Sequence, residues 1–117
     1  MKFEPGDLVL VPFPFADLSS RKTRPALVLS SAEYNATDSH VVLCGLTANL
    51  ANAAYSVLVN PSDVVGGTLP RPSRVKVDRV VTVDQRLVRR RLGRLAPTAP
   101  AQVWKESHQL FDGARSA

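Results

Sequence analysis

Short apolar runs, broken by turn residues, follow one another up to about Leu95 with a period of two. Pro5-Gly6-Asp7 is a turn signal, and the β-branched, alternating stretch after it predicts a strand from Leu8 to Phe13. Pro12 has no N–H for a ladder, which places the late part of this strand at a sheet edge. "PFADLSSRKT" has no regular period and reads as a long exposed loop. "RPALVLS" predicts a second strand, Arg24 to Ser30, and "SAEYNATDSH" is a connection. "HVVLCGLT" is a third strand whose continuous apolar run marks burial on both faces. "YSVLVN" is a fourth strand, and "PSDVVGGTLPRP" is loop.

The fifth strand, "SRVKVDRVVTV", alternates charge with valine. Period two puts Arg74, Lys76 and Asp78 on one face, with Val75 and Val77 opposite. A short turn at "DQRL" leads to one more strand in "RRRLGRLA". The period then changes. Val103, Ser107, Leu110 and Phe111, with Trp104 alongside, recur at helical spacing. Pro97 and Pro100 suit a first turn, and Gly113 is a natural stop. A terminal helix from Thr98 to Asp112 is predicted, its apolar stripe, Trp104 included, packed on the sheet. Five or six short strands and one helix predict a mainly β fold, a small barrel closed on itself with a C-terminal helix. At 117 residues this is a single domain, 1–117.

Charge adds an asymmetry. Up to Asn60 there are four basic and five acidic residues, and beyond it eleven basic and five acidic. A polyanion partner is one reading, and a solvated basic face the other. No signal segment and no long apolar run is evident, so the chain reads as soluble and cytoplasmic. Asn35-Ala36-Thr37 matches a glycosylation pattern that has no meaning there. The single cysteine, Cys44, excludes an internal disulfide and reads as a small buried hydrophobe. His40 and His108 lie in different elements and read as ordinary surface, so neither metal nor cofactor is expected. Nucleotide-loop and serine-hydrolase motifs are absent from the sequence.

Polar groups at strand ends remain. Arg24 begins the second strand and Thr47 ends the third. If those strands are antiparallel neighbours, both fall at the same rim, with the Arg74-Lys76-Asp78 face near by. A guanidinium binds phosphate bidentately and a hydroxyl adds a donor, a pair suited to a phosphoryl group. A strand-end ion pair at Arg24 is the alternative.

"GDLVLVPFPFADLSSRKTRPALVLSSAEYN", "VVLCGLTANL" and "RVKVDRVVTVDQRLVRRRLGRL" resemble the blocks of the MazF/PemK toxins of bacterial type II toxin–antitoxin modules. The resemblance runs from Pro5 into the terminal helix. It implies an SH3-like (CcdB/MazF-type) barrel, a homodimer, and a sequence-specific, metal-independent endoribonuclease. The activity implied is cleavage of single-stranded RNA to 2′,3′-cyclic phosphate and 5′-hydroxyl ends, arresting growth, with a cognate antitoxin as partner. The family's arginine before the "R-P" proline is Arg24 here, and its strand-closing threonine is Thr47. Both are the expected catalytic residues. Arg21, Lys22, Asn49, Arg74, Lys76, Asp78 and Arg79 are expected to hold RNA. One mechanism proposed for the family uses a first-loop histidine, which this chain lacks, with a basic residue and aspartate two apart, matched by Lys76 and Asp78. The arginine–threonine version fits better. Two other readings stay open: a gyrase-poisoning toxin of the same fold, and an SH3-like module that binds RNA without cutting it.

Overall fold

The computed structural model describes residues 2–14 and 21–113. Among them the order is β1 (Asp7–Pro14), β2 (Arg21–Val28), α1 (Ala32–Thr37), β3 (His40–Thr47), β4 (Ser56–Val59), β5 (Val64–Val65), β6 (Ser73–Asp84), β7 (Arg90–Leu95) and α2 (Thr98–Asp112). Single 3-10 turns at Pro61–Asp63 and Gln85–Leu87 connect β4 to β5 and β6 to β7 along the chain. The strands form one antiparallel sheet in the order β4-β6-β3-β2-β1-β7-β5.

The fold class expected from the pattern is the one observed, mainly β and curled with a C-terminal helix, but the sheet is a half-barrel and does not close on itself. The curl is completed by α2, which packs against β4, β6 and β7, while β4 and β5 stand at the two ends of the sheet order. Strand alternation builds a core on each side of the central strands. Leu8, Leu27, Cys44 and Leu46 face Ala99 and Val103 of α2. Val9, Val11, Ala26, Val28, Val41 and Leu43 face the other way, with Phe3. β3 is therefore buried on both faces, as its unbroken apolar run predicts.

β1 pairs with both β2 and β7, but its β7 ladder stops at Leu10, so its late part is an edge on that side, as Pro12 predicts. Pro12 lies beyond that point, where one side of the strand needs no donor. Other expectations change. The stretch expected as loop after β4 contains β5, which pairs with β7. β2 begins at Arg21, because Lys22 and Thr23 pair with Phe13 and Pro12. Arg24 thus sits inside the strand and does not open it. The rest of the expected first loop, 15–20, lies outside the described residues. The connection after β2 contains α1, capped by Ser31, whose Oγ accepts from the Tyr34 N–H at 3.1 Å. Buried Asn35 anchors this helix by donating from Nδ2 to Phe3 O at 2.9 Å and Ser30 O at 3.0 Å.

α2 keeps its expected bounds and ends at Gly113. Its buried residues are Ala99 and Val103, with Leu110 packed against the core. Trp104 and Phe111 point out, 49% and 79% exposed. Two of the expected stripe residues thus stand off the sheet, because α2 touches it along a narrow seam.

At the far end of β1, the fully buried Asp7 takes Arg94 Nε at 2.9 Å and Arg91 Nη2 at 3.2 Å. It also accepts from the Glu4 N–H at 2.9 Å. This cluster ties the N-terminal turn to β7. The hydrogen bond to Asp7, reinforced by its charge and that of Glu4, pushes the Arg94 pKa above its ordinary value.

Candidate active site

The β2–β3 ladder stops at Ala26↔Gly45. The reason lies in Pro25. Gly6 N–H donates to Val28 O toward β1, and Leu29 N–H donates to Val42 O on β3. Backbone groups alternate sides along a strand, so the amide at position 25 belongs to the β3 side, and proline supplies no donor there. The two strands part just past this point, and a cleft of about 340 Å3 opens.

Arg24 and Thr47 both line that cleft. Each lies two positions beyond the last paired residues, on the two strands that diverge there. Arg24 is half-buried, with Nε withdrawn from solvent. Thr47 Oγ1 accepts from the Asn49 N–H at 3.2 Å, which leaves the hydroxyl proton to point elsewhere. Asn49 Oδ1 accepts from the Ala51 N–H at 3.0 Å, so the residue shapes the β3–β4 loop as well as lining the cleft.

β6 supplies the opposite wall. Between Cys44↔Val80 and Leu46↔Val75, β3 advances by two positions and β6 by five. The surplus bows β6 outward at Lys76–Arg79 and breaks its alternation. Arg79 consequently lines the cleft together with Arg74 and Lys76, despite its odd spacing. Asp78 is exposed, 3.9 Å from Lys76 Nζ, and lies outside the lining set. The face expected from strict alternation thus gains Arg79 and loses Asp78. Arg74 also pins the β3–β4 loop, because its Nε donates to Leu50 O at 3.2 Å and its Nη1 to Ser56 Oγ at 3.1 Å.

Of the other expected residues, Lys22 lines a neighbouring cleft that also includes Arg24 and Thr47. Arg21 opens β2, and its side chain is outside the described residues. Sequence reasoning missed Phe13 and Gly45. A Cβ on Gly45 would stand 3.0 Å from the Phe13 ring, so the missing side chain lets that ring reach across β2 and floor the cleft. Glycine inside an apolar strand was the available signal.

The charged side chains lining the cleft are all cationic, and its other polar side chains are Thr47, Asn49 and Asn52. Such a set offers hydrogen-bond donors and positive charge, which suits a phosphodiester. His40 and His108 are both exposed, each beside an aspartate, Asp38 at 3.0 Å and Asp112 at 3.5 Å. Among the described residues no group of three His, Cys, Asp or Glu side chains is placed to hold a metal ion. Among them, too, no helix is long and apolar enough to cross a membrane.

Solved structures share this fold. An endoribonuclease in complex with its cognate antitoxin, from a Mycobacterial species, superposes with a TM-score of 0.78 at 18% identity, over 95% of this chain and 96% of that one. Mycobacterium tuberculosis toxin MazF-mt6 does so with a TM-score of 0.71 at 20% identity, over 89% and 96%. A MazE–MazF structure (Form-II) from Deinococcus radiodurans gives 0.71 at 26% identity, over 95% and 96%. No curated protein matches the sequence significantly. The family described as PemK-like, MazF-like toxin of type II toxin–antitoxin system matches residues 4–111, nearly the whole chain, and to that family this protein belongs.

Proposed function

We propose that this protein is a growth-arresting toxin that cleaves single-stranded RNA at the β2–β3 cleft, without a metal ion. The observation that supports the reading is that Arg24 and Thr47 line one cleft whose charged side chains are all cationic. The substrate's ribose 2′-hydroxyl gives its proton to water and attacks the adjacent phosphorus, the bond to the 5′-oxygen of the next nucleotide breaks, and water returns a proton to that oxygen. The products are a 2′,3′-cyclic phosphate and a 5′-hydroxyl.

Arg24 stabilises the charge that develops on the non-bridging oxygens. A guanidinium carries a permanent, delocalised charge, so its role is electrostatic. Thr47, whose oxygen is already occupied by the Asn49 N–H, donates its hydroxyl proton to a phosphate oxygen. Lys76 and Arg79 hold the flanking backbone, so binding weakens with salt. Arg74 contributes charge from a fixed position, and Asn49 offers its amide NH2 to a base or phosphate. Lys22 and Arg21 lie on the first hairpin, ahead of Arg24. Asp78 acts through Lys76, holding its ammonium near the bow of β6.

The proposed partners are single-stranded RNA, a cognate antitoxin in the cytoplasm, and a second copy of the chain. Some solved relatives were captured with an antitoxin. The outward Trp104 and Phe111, with Val80, leave an apolar face that a second copy would cover. Light scattering on purified protein tests the dimer.

Purified protein in EDTA should cut single-stranded RNA to cyclic-phosphate ends. Absence of cutting across a randomised RNA pool would sink the nuclease reading. A supercoiling assay separates it from gyrase poisoning, and RNA retention without cleavage would point to a binding module.

A further inference from the structure

Arg24 and Thr47 stand on a ridge between two clefts, and the second is unaccounted for. It measures about 300 Å3 and shares Arg24, Leu46 and Thr47 with the first. One wall is the β2 segment Lys22–Pro25. The other is the loop Leu69–Arg71 leading into Ser73.

That loop is built to hold its shape. Gly67 is pressed against β7 so closely that a Cβ there would lie 1.8 Å from Leu92 O. Thr68 N–H donates to the same carbonyl at 2.9 Å. Leu69 is buried in the core, and Ser73 is buried in the β4–β6 ladder. Ser73 Oγ donates to Arg71 O at 3.2 Å. Arg71 therefore leaves a backbone fixed on both sides, between Pro70 and Pro72. The charged side chains lining this cleft are Lys22, Arg24 and Arg71, all cationic. Pro25, Leu69 and Pro70 add flat apolar surface.

We propose that the second cleft seats the nucleotide on the other flank of the scissile phosphate, with Arg71 and Lys22 gripping the phosphate beyond it. This rests on the RNA-cleaving reading of Arg24 and Thr47. The two clefts then form one cationic track with the reacting phosphate at its middle. The strand is held on both sides of the bond that breaks, which aligns the 2′-hydroxyl for attack. The apolar wall takes a ribose or base face without selecting its hydrogen-bonding edge, so the second cleft contributes affinity more than sequence choice.

The test uses a set of short RNAs around a mapped cut site, lengthened by one nucleotide at a time on either side. For the wild type, one added nucleotide on one flank should raise kcat/KM by about tenfold, as expected for a charge-assisted phosphate contact. Arg71→Ala should bring that rise close to onefold, and Arg71→Lys should restore part of it. Lys105→Ala, which removes one charge from α2, should keep the rise. Binding is read in parallel by fluorescence anisotropy on the same RNAs carrying a 2′-deoxy at the cut. There Arg71→Ala should lower the salt slope by about 0.7, the value for one single-strand phosphate contact. Circular dichroism confirms that each variant is folded. Equal behaviour of Arg71→Ala and Lys105→Ala, or no gain from lengthening on either flank, would overturn the second cleft. If the wild type binds these RNAs but cuts none, the nuclease reading fails, and the anisotropy arm alone still decides whether Arg71 grips a phosphate.

Discussion

Arg24 and Thr47 line one cleft, each two positions past the last β2–β3 ladder pair, Ala26↔Gly45, where Pro25 has no N–H to offer β3. The proline that ends the ladder stands next to Arg24 at the opening between the strands. Arg24→Ala should abolish RNA cleavage, and Arg24→Lys should recover little, because an ammonium lacks the bidentate fork. Thr47→Val, which keeps the shape and removes the hydroxyl, should lower kcat by about 10² to 10³. Single-turnover cleavage with circular dichroism as a folding control checks both. Normal cutting by Arg24→Ala would leave the fold intact and dismiss the site assignment.

Gly45 and Phe13 make a second prediction. Gly45→Ala places a Cβ 3.0 Å from the ring that floors the cleft, so the ring must shift. Overpacking of this kind costs about 1 to 3 kcal/mol. Chemical denaturation should show that loss, and RNA affinity should fall with it. Pairing the change with Phe13→Leu should restore much of the stability.

The loop under Arg71 distinguishes two adjacent glycines. Gly67→Ala drives a Cβ into backbone at Leu92 O, which cannot move without disturbing β7, and should leave little folded protein. Gly66 has φ +67° but nothing within 4 Å of its would-be Cβ. Gly66→Ala should cost only about 1 to 2 kcal/mol, the left-handed backbone penalty. Thermal melts of the two variants side by side settle the contrast.

Asp7 is fully buried against two arginines that remain partly exposed. Asp7→Ala removes the acceptor shared by both arginines and the Glu4 N–H, and should cost about 1 to 3 kcal/mol. Urea denaturation measures it. The cluster lies at the other end of β1 from the cleft, so RNA cleavage by the remaining folded fraction should be close to normal.

Burial pushes the Cys44 thiol from its ordinary 9.0 up to about 12, with the Asp78 charge adding to the effect. The folded state therefore holds this proton more tightly than the unfolded chain. Stability from this group is intact below pH 9 and falls as pH rises from about 9 toward 12. A thiol reagent at about pH 8, below the ordinary thiol range, should leave Cys44 unmodified until denaturant is added. Cys44→Ala should lose part of that alkaline decline.

Much of the fold is local and was legible. Period-two runs mark β1, β4 and β6, an unbroken apolar run marks β3, and the change of period at Thr98 marks α2 to within a residue. The family blocks add the "R-P" arginine and the strand-closing threonine. α1 escaped because six residues are too few to show a helical period, and Ser31 is its only plain signal.

What the chain alone determined is which residues alternate, where strands turn, and that Arg24 and Thr47 lie beside apolar strands. The tertiary structure decided which of them meet. Alternation is a property of one strand, whereas register is a property of two. The surplus residues of β6 against β3 turn Arg79 into the cleft and leave Asp78 outside it. Gly45 matters because Phe13 lies two strands away, and Arg71 matters because Gly67 and Leu69 dock its loop on β7 and the core. Each of these contacts joins segments far apart in sequence, set by packing that no local pattern encodes.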